Sequence, residues 1–198
     1  MSEQIVPAAL TQKIADLYAR MEAAYDKVAA ELDFSCQGCP DNCCDSYFQH
    51  HTYIEWAYLW DGVMALPEER RRELLARAER YVEECKASLA KGERPQAICP
   101  LIDDNLCSLY AHRLMICRMH GVPSAMTRPD GQAMRFPGCF RCQEITGDRQ
   151  DLPVVERTDF YRELVALEID FLGPRRNLLP KVKMTLAEML VQGPPKLP

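Results

Sequence analysis

Leu10-Thr-Gln-Lys-Ile14-Ala-Asp-Leu17-Tyr-Ala-Arg-Met21-Glu-Ala-Ala-Tyr-Asp-Lys-Val28-Ala-Ala-Glu-Leu32-Asp33-Phe34-Ser35-Cys36 sets the fold class of this chain. Its large apolar residues recur at steps of three, four and seven, which puts them on one face of a helix over residues 8–33. The helical pattern stops at Asp33-Phe34-Ser35 and meets a cysteine. An apolar helical stripe that ends at a thiol describes the chain at large: a helical frame around an irregular, cysteine-rich centre.

The same reading extends downstream. Residues 52–66 are apolar and rich in aromatics, and they read as a helix whose Tyr53, Trp56, Tyr58 and Trp60 belong to the core. Pro67-Glu68-Glu69 opens another helix, since proline suits the first turn and acids suit the positive end of the helix dipole. Leu74, Ala78, Tyr81, Cys85 and Leu89 mark its buried stripe, and Gly92 ends it. Cys85 is read as a core residue. Residues 158–172 and about 180–192 are expected to be helical, with 193–198 a frayed tail. Between them, residues 93–152 lose helical periodicity to Gly, Pro and Cys. A short strand is expected at 105–110, a short helix at 112–120, and a small β-hairpin over 125–136 around Pro129-Asp130-Gly131. The fold class is therefore mainly α, in a single domain over residues 1–198.

Nine of the ten cysteines fall in two stretches: Cys36, Cys39, Cys43 and Cys44, then Cys99, Cys107, Cys117, Cys139 and Cys142. Together, 36–44 and 99–142 form the expected metal-binding core. Cys36-Gln-Gly-Cys39 lets the chain curl so that both sulfurs reach one metal, a spacing shared by zinc and iron–sulfur sites. Adjacent Cys43 and Cys44 point to opposite sides in an extended segment, so they suit two centres, or one ligand and one packing residue. The count allows two four-sulfur centres or one centre with spare thiols. Arg113, Arg118, Arg135 and Arg141 lie close to cysteines in sequence; Arg113 and Arg118 are the candidates to offset thiolate charge from behind the ligands. His50, His51, His112 and His120 are secondary ligand candidates, with Cys117-x-x-His120 at mixed-site spacing. Asp103-Asp104 reads as a solvated turn.

This arrangement resembles the YkgJ family of cysteine-cluster proteins, described as zinc- or iron-chelating and named for a Cys-x-x-Cys-x-x-Cys-Cys signature. The matching residues are Cys36, Cys39, Cys43 and Cys44, and the block from Cys99-Pro-Leu through Cys107, Tyr110, Arg113 and Cys117-Arg118, with Cys139 beyond it. Two departures stand out. Three residues, Pro40-Asp41-Asn42, separate Cys39 from Cys43 where the signature has two, and Leu114 replaces a proline. A similar cluster accompanies flagellin lysine-N-methylase, which by resemblance implies an iron–sulfur centre.

The expected cofactor is accordingly an iron–sulfur cluster or iron, with zinc as the alternative. The use is redox or modification chemistry, or, with zinc, a structural module without catalysis. A thiol-redox or metal-trafficking role is a third reading. No reaction is assigned. A net charge of -5 disfavours nucleic acid as a partner. No apolar run suits a membrane span, and no N-terminal signal is evident, so a reducing cytoplasm is the expected location. There, clustered cysteines are more often metal-binding or catalytic than disulfide-bonded. No protein partner is specified by the sequence.

Overall fold

The first stripe forms α1 (Ala8–Glu31), which buries Ile14, Leu17, Tyr18, Met21 and Val28. A computed structural model describes residues 4–36, 45–104 and 106–197 of the chain. Pro7 precedes α1, and the Asp61 carboxylate accepts the Ile5 and Val6 amides at 2.7 and 3.1 Å, which fixes the entry of the chain. At the other end Asp33 adopts φ 50°, and the Phe34 amide donates back to the Ala29 carbonyl at 2.8 Å. This is a left-handed helix stop in which a short polar side chain stands where glycine is usual. It seats Phe34 in the core, two residues before Cys36.

The second helix, α2 (Tyr53–Ala65), is buried on nearly every side and forms the centre of the domain. Glu168 anchors its start by accepting the Tyr53 and Ile54 amides at 2.9 and 2.8 Å. That carboxylate belongs to α6 (Thr158–Leu172), which packs on both α1 and α2. The third helix, α3 (Glu68–Ala90), begins after Pro67 and buries Leu74, Ala78, Tyr81 and Cys85 as its stripe requires. It packs against α7 (Leu186–Gln192), whose Met189 carbonyl accepts the indole N–H of Trp56 at 3.1 Å and of Trp60 at 2.9 Å. The four aromatic residues of α2 singled out above are all buried. The expected mainly α frame is the one observed.

Between α3 and α6 the chain makes short elements. β1 (Ile102–Asp103) pairs antiparallel with β2 (Leu106–Cys107), Ile102 opposite Cys107. A 3-10 turn at Tyr110–His112 leads to α4 (Met115–Met119). β3 (Ser124–Thr127) and β4 (Ala133–Phe136) form the expected hairpin, and β5 (Val155–Glu156) adds a parallel partner to β3. α5 (Phe140–Thr146) lies between β4 and β5.

Five expectations are corrected. The last helix starts at Leu186 rather than 180: His50 and Met184 exchange backbone hydrogen bonds at 2.7 and 3.2 Å, which holds 180–184 extended. Thr185 and Glu188 then form a reciprocal capping box that starts the helix. The described part of the tail, 193–197, is not frayed, because the Gly193 carbonyl accepts from the Trp56 indole at 2.9 Å and Pro195 is buried. Of the strand expected over 105–110, Leu106–Cys107 is strand and 108–110 is not, while Asn105 lies outside the described residues. The helix expected over 112–120 is confined to Met115–Met119, because Arg113 and Leu114 are extended. Asp103 is an anchor, not a solvated turn residue; it pairs with Arg70 and with Arg77, the latter at 2.7 Å, tying the β1–β2 turn to α3. Among the described residues, no helix is long and apolar enough to cross a membrane.

Candidate metal centre

Apart from Cys85, the described cysteines sit where the helical frame gives way to short elements. Cys39, Cys43 and Cys44 lie outside the described residues. None of the seven described cysteines forms a disulfide with another. Cys85 lies buried on the α3 stripe, where the core reading placed it.

Cys99, Cys107 and Cys117 form a first group. The backbone fixes their approach: the Ile102 amide donates to the Cys99 carbonyl at 3.1 Å, and the β1–β2 register brings Cys107 back opposite Ile102. Cys117 comes from α4. Burial pushes the Cys99 thiol up to about 12; the negative charges of Cys117 and Cys107 add to this, while the Leu101 amide and Arg113 oppose it. Cys107 is also raised by burial, and the Leu109 amide, Arg113 and Arg118 pull against that rise. At both cysteines the amide two residues on donates to sulfur, a contact that favours thiolate and tunes a metal–sulfur centre.

Cys36, Cys139 and Cys142 form a second group. The Tyr25 hydroxyl stands 3.7 Å from the Cys36 sulfur. That hydroxyl also packs against Gly121, where an added Cβ would meet it at 2.2 Å. The Gly121 carbonyl accepts the Cys139 amide at 2.9 Å, and the Cys139 sulfur accepts the Cys142 amide at 3.5 Å. Burial raises Cys142 to about 11, with Cys139 and then Cys36 adding to the rise. Tyr25 was not singled out as a site residue from the sequence. Its position between Met21 and Val28 on the buried stripe of α1 is the signal that would have found it.

The two arginines differ in role. Arg118 is only 8 % exposed and points its guanidinium at backbone: Nε donates to the Arg113 carbonyl at 2.6 Å, and Nη2 to the Tyr110 and Ala111 carbonyls at 2.6 and 2.9 Å. Its guanidinium carbon lies 4.4 Å from the centre of the Tyr18 ring. Arg118 therefore shapes the loop that carries Arg113, while its charge still favours the Cys107 thiolate. Arg113 instead reaches a small cavity of ≈ 40 Å³ together with Cys99, Cys117, His50, His120 and Tyr81. About 10–15 Å³ of such space accommodates one water, so the cavity has room for an ion and a small ligand.

Two histidines face that cavity. Burial lowers His120 to about 4, helped by Arg157 and Arg113, and lowers His50 to about 3, helped by His51. Both rings are neutral at pH 7, the state in which imidazole binds metal. His112 and His51 are engaged elsewhere: Nδ1 of His112 is 2.6 Å from the Tyr58 carbonyl, and Nδ1 of His51 is 3.1 Å from the Val182 carbonyl. Among the described residues, no three His, Cys, Asp or Glu side chains close on a common point that could hold a metal ion.

Comparison with protein-family models, with curated proteins and with solved structures finds no match to this chain. The resemblance to the YkgJ pattern rests on the residues quoted for it.

Proposed function

We propose that this chain is a metal-binding protein that holds an iron–sulfur cluster or iron through clustered cysteine thiolates. One observation supports the reading: thiols distant in sequence feel one another's charge, Cys142 that of Cys139 and Cys36, and Cys99 that of Cys117 and Cys107, though no three described side chains close on a common point. Soft thiolate donors are the ligand type of iron–sulfur and four-thiolate chemistry. Bound iron or a cluster would supply one-electron chemistry, serving a redox or modification reaction. The chain's own part is to present the sulfurs and deprotonate them. Metal loading must displace thiol protons that burial holds on Cys99 and Cys142, with Arg113 and backbone amides offsetting the negative charge left behind.

Zinc is the second reading, in a structural site without catalysis. The observation in its favour is that neutral His50 and His120 border the same cavity as Cys99 and Cys117, a mixed sulfur and nitrogen donor set that zinc accepts. A reducing compartment such as the cytoplasm fits either reading, because the thiols must stay reduced to bind metal.

Metal and acid-labile sulfide analysis of anaerobically purified protein, beside its visible spectrum, tests both. Iron with sulfide and a brown absorbance, lost in Cys36→Ser, is the expected result. Stoichiometric zinc with a featureless spectrum selects the structural reading. Purified protein that takes up neither metal overturns the proposal.

A further inference from the structure

Cys139-Phe-Arg-Cys142 has the same Cys-x-x-Cys spacing as Cys36 and Cys39, and here the fold shows how the pair stands. Cys139 caps α5 and Cys142 sits in its first turn, which the Gln143 amide closes by donating to the Cys139 carbonyl at 3.0 Å. Residues three apart on such a turn share one face. The Cys142 amide donates to the Cys139 sulfur at 3.5 Å, which holds that sulfur over the backbone of its neighbour. The chain ahead of the pair is fixed as well. Gly138 adopts φ 88°, where a Cβ would stand 2.6 Å from the Gly121 carbonyl oxygen, and that oxygen accepts the Cys139 amide at 2.9 Å. Of the charges that act on the Cys142 thiol, Cys139 comes first and Cys36 second. The two thiols differ in access: Cys139 is half-buried, whereas Cys142 is enclosed at 0 % exposure.

We propose that Cys139 and Cys142 are a reversible dithiol–disulfide couple that exchanges electrons with low-molecular-weight disulfides, Cys139 meeting the partner and Cys142 closing the bridge. The Cys139 thiolate attacks one sulfur of the disulfide RSSR; a mixed disulfide forms on Cys139, the S–S bond of RSSR breaks and RS⁻ leaves. Cys142 then loses its proton and attacks the Cys139 sulfur, which breaks the mixed disulfide and expels the second RS⁻. The two thiol protons end on the two RS⁻ groups, and two electrons have passed from the pair to RSSR. The roles follow from access, since only Cys139 is open to solvent and Cys142 has only its neighbour to reach. A disulfide needs two sulfurs and no third donor. The couple therefore goes beyond the metal-binding reading and does not depend on it.

The test equilibrates full-length protein, as purified, with mixtures of glutathione and its disulfide, quenches in acid, alkylates and digests with trypsin. Cleavage after Arg135, Arg141 and Arg149 puts the two cysteines on separate peptides, 136–141 and 142–149, so a bridge between them appears as one joined mass. That species should rise as a two-electron transition, with the oxidised-to-reduced ratio changing tenfold per about 30 mV. Cys142→Ala should trap a mixed disulfide with glutathione on Cys139, and Cys139→Ser should leave Cys142 reduced. The wild-type titration needs no variant, so the test stands even if Cys142→Ala folds poorly. Bridges from Cys139 or Cys142 to Cys36 or any other cysteine, in place of one another, would overturn the couple, as would two thiols that stay reduced at every ratio. Metal measured on the same samples separates the two readings. Protein that forms the bridge but takes up no metal sinks the metal-binding proposal and leaves the couple standing; protein that holds metal and never forms the bridge does the reverse.

Discussion

His50 is 2 % exposed, and burial keeps its imidazole neutral down to about pH 3. The unfolded chain takes up a proton at this residue near pH 6.5, so between 6.5 and 3 it binds more protons than the folded chain does. Stability is therefore fully present above 6.5 and falls as the pH drops, by up to about 1.4 kcal/mol per pH unit from this residue. Urea titrations of the metal-free protein from pH 7 to 4 should show that slope, and it should flatten in His50→Gln. The thiols work in the opposite protonation sense. Cys99 and Cys142 hold their protons up to about 12 and about 11, so each must lose one on binding metal. Loading in weakly buffered solution should release protons, and apparent metal affinity should weaken as the pH falls; uptake without proton release would show that these thiols are not ligands. Residue types were the legible part of the site. The sequence offered thiols, but not that the Cys142 thiol would feel the charge of Cys36, because 105 residues of chain lie between them. It offered Arg118 as a partner for sulfur, whereas the fold turns that guanidinium onto three carbonyls.

Helices here are held to one another by a few buried polar anchors. Glu55 is 4 % exposed and accepts the Tyr18 hydroxyl of α1 at 3.0 Å, the Met115 amide of α4 at 2.7 Å and the Thr52 hydroxyl at 2.7 Å. Glu55→Ala strands three donors in the interior and should cost about 2–4 kcal/mol in denaturant unfolding, well above the cost of an exposed substitution. Gly62 makes a sharper test of packing between α2 and the 3-10 turn. Alanine there gains helix propensity, yet its Cβ would stand 2.5 Å from the His112 ring. Gly62→Ala should destabilise the protein; a rise in the unfolding midpoint would show that His112 moves aside freely. The same distinction between local and distant causes explains which elements were readable. α1, α3 and α6 carry their own periodicity over 15 to 24 residues, and α2 is legible as a 13-residue apolar run. The start of α7 is set by the pairing of Met184 with His50, and the order of the tail by a bond between Trp56 and Gly193; no local pattern encodes either. α5 escaped because a seven-residue helix with only Cys142 and Thr146 buried has no stripe to read.

Across the whole molecule, a single apolar core runs from the helices into the thiol-bearing segment, where Leu101, Leu114, Met115, Met119, Val122 and Cys142 are buried. Ile14, Leu17, Met21, Ile54, Leu59, Met189 and Leu190 are essentially inaccessible and belong to α1, α2 and α7, whereas Cys99, Cys107, Cys117 and Cys139 remain half-buried at the edge. If metal is bound by these half-buried cysteines, removing it should loosen the turns that carry them while the long helices keep their order. Hydrogen exchange before and after chelation checks this: faster exchange confined to 99–117 and 139–146 is expected, and uniform acceleration would mean that the metal supports the entire fold. The two indoles of the chain supply an optical consequence. Trp56 and Trp60 both donate to the Met189 carbonyl, and the first residues of that same short helix border the cavity beside Cys99 and Cys117. Any shift of α7 as the cavity fills changes the surroundings of every tryptophan the protein has. Intrinsic emission is thus a label-free gauge of site occupancy, readable in a cuvette during a titration.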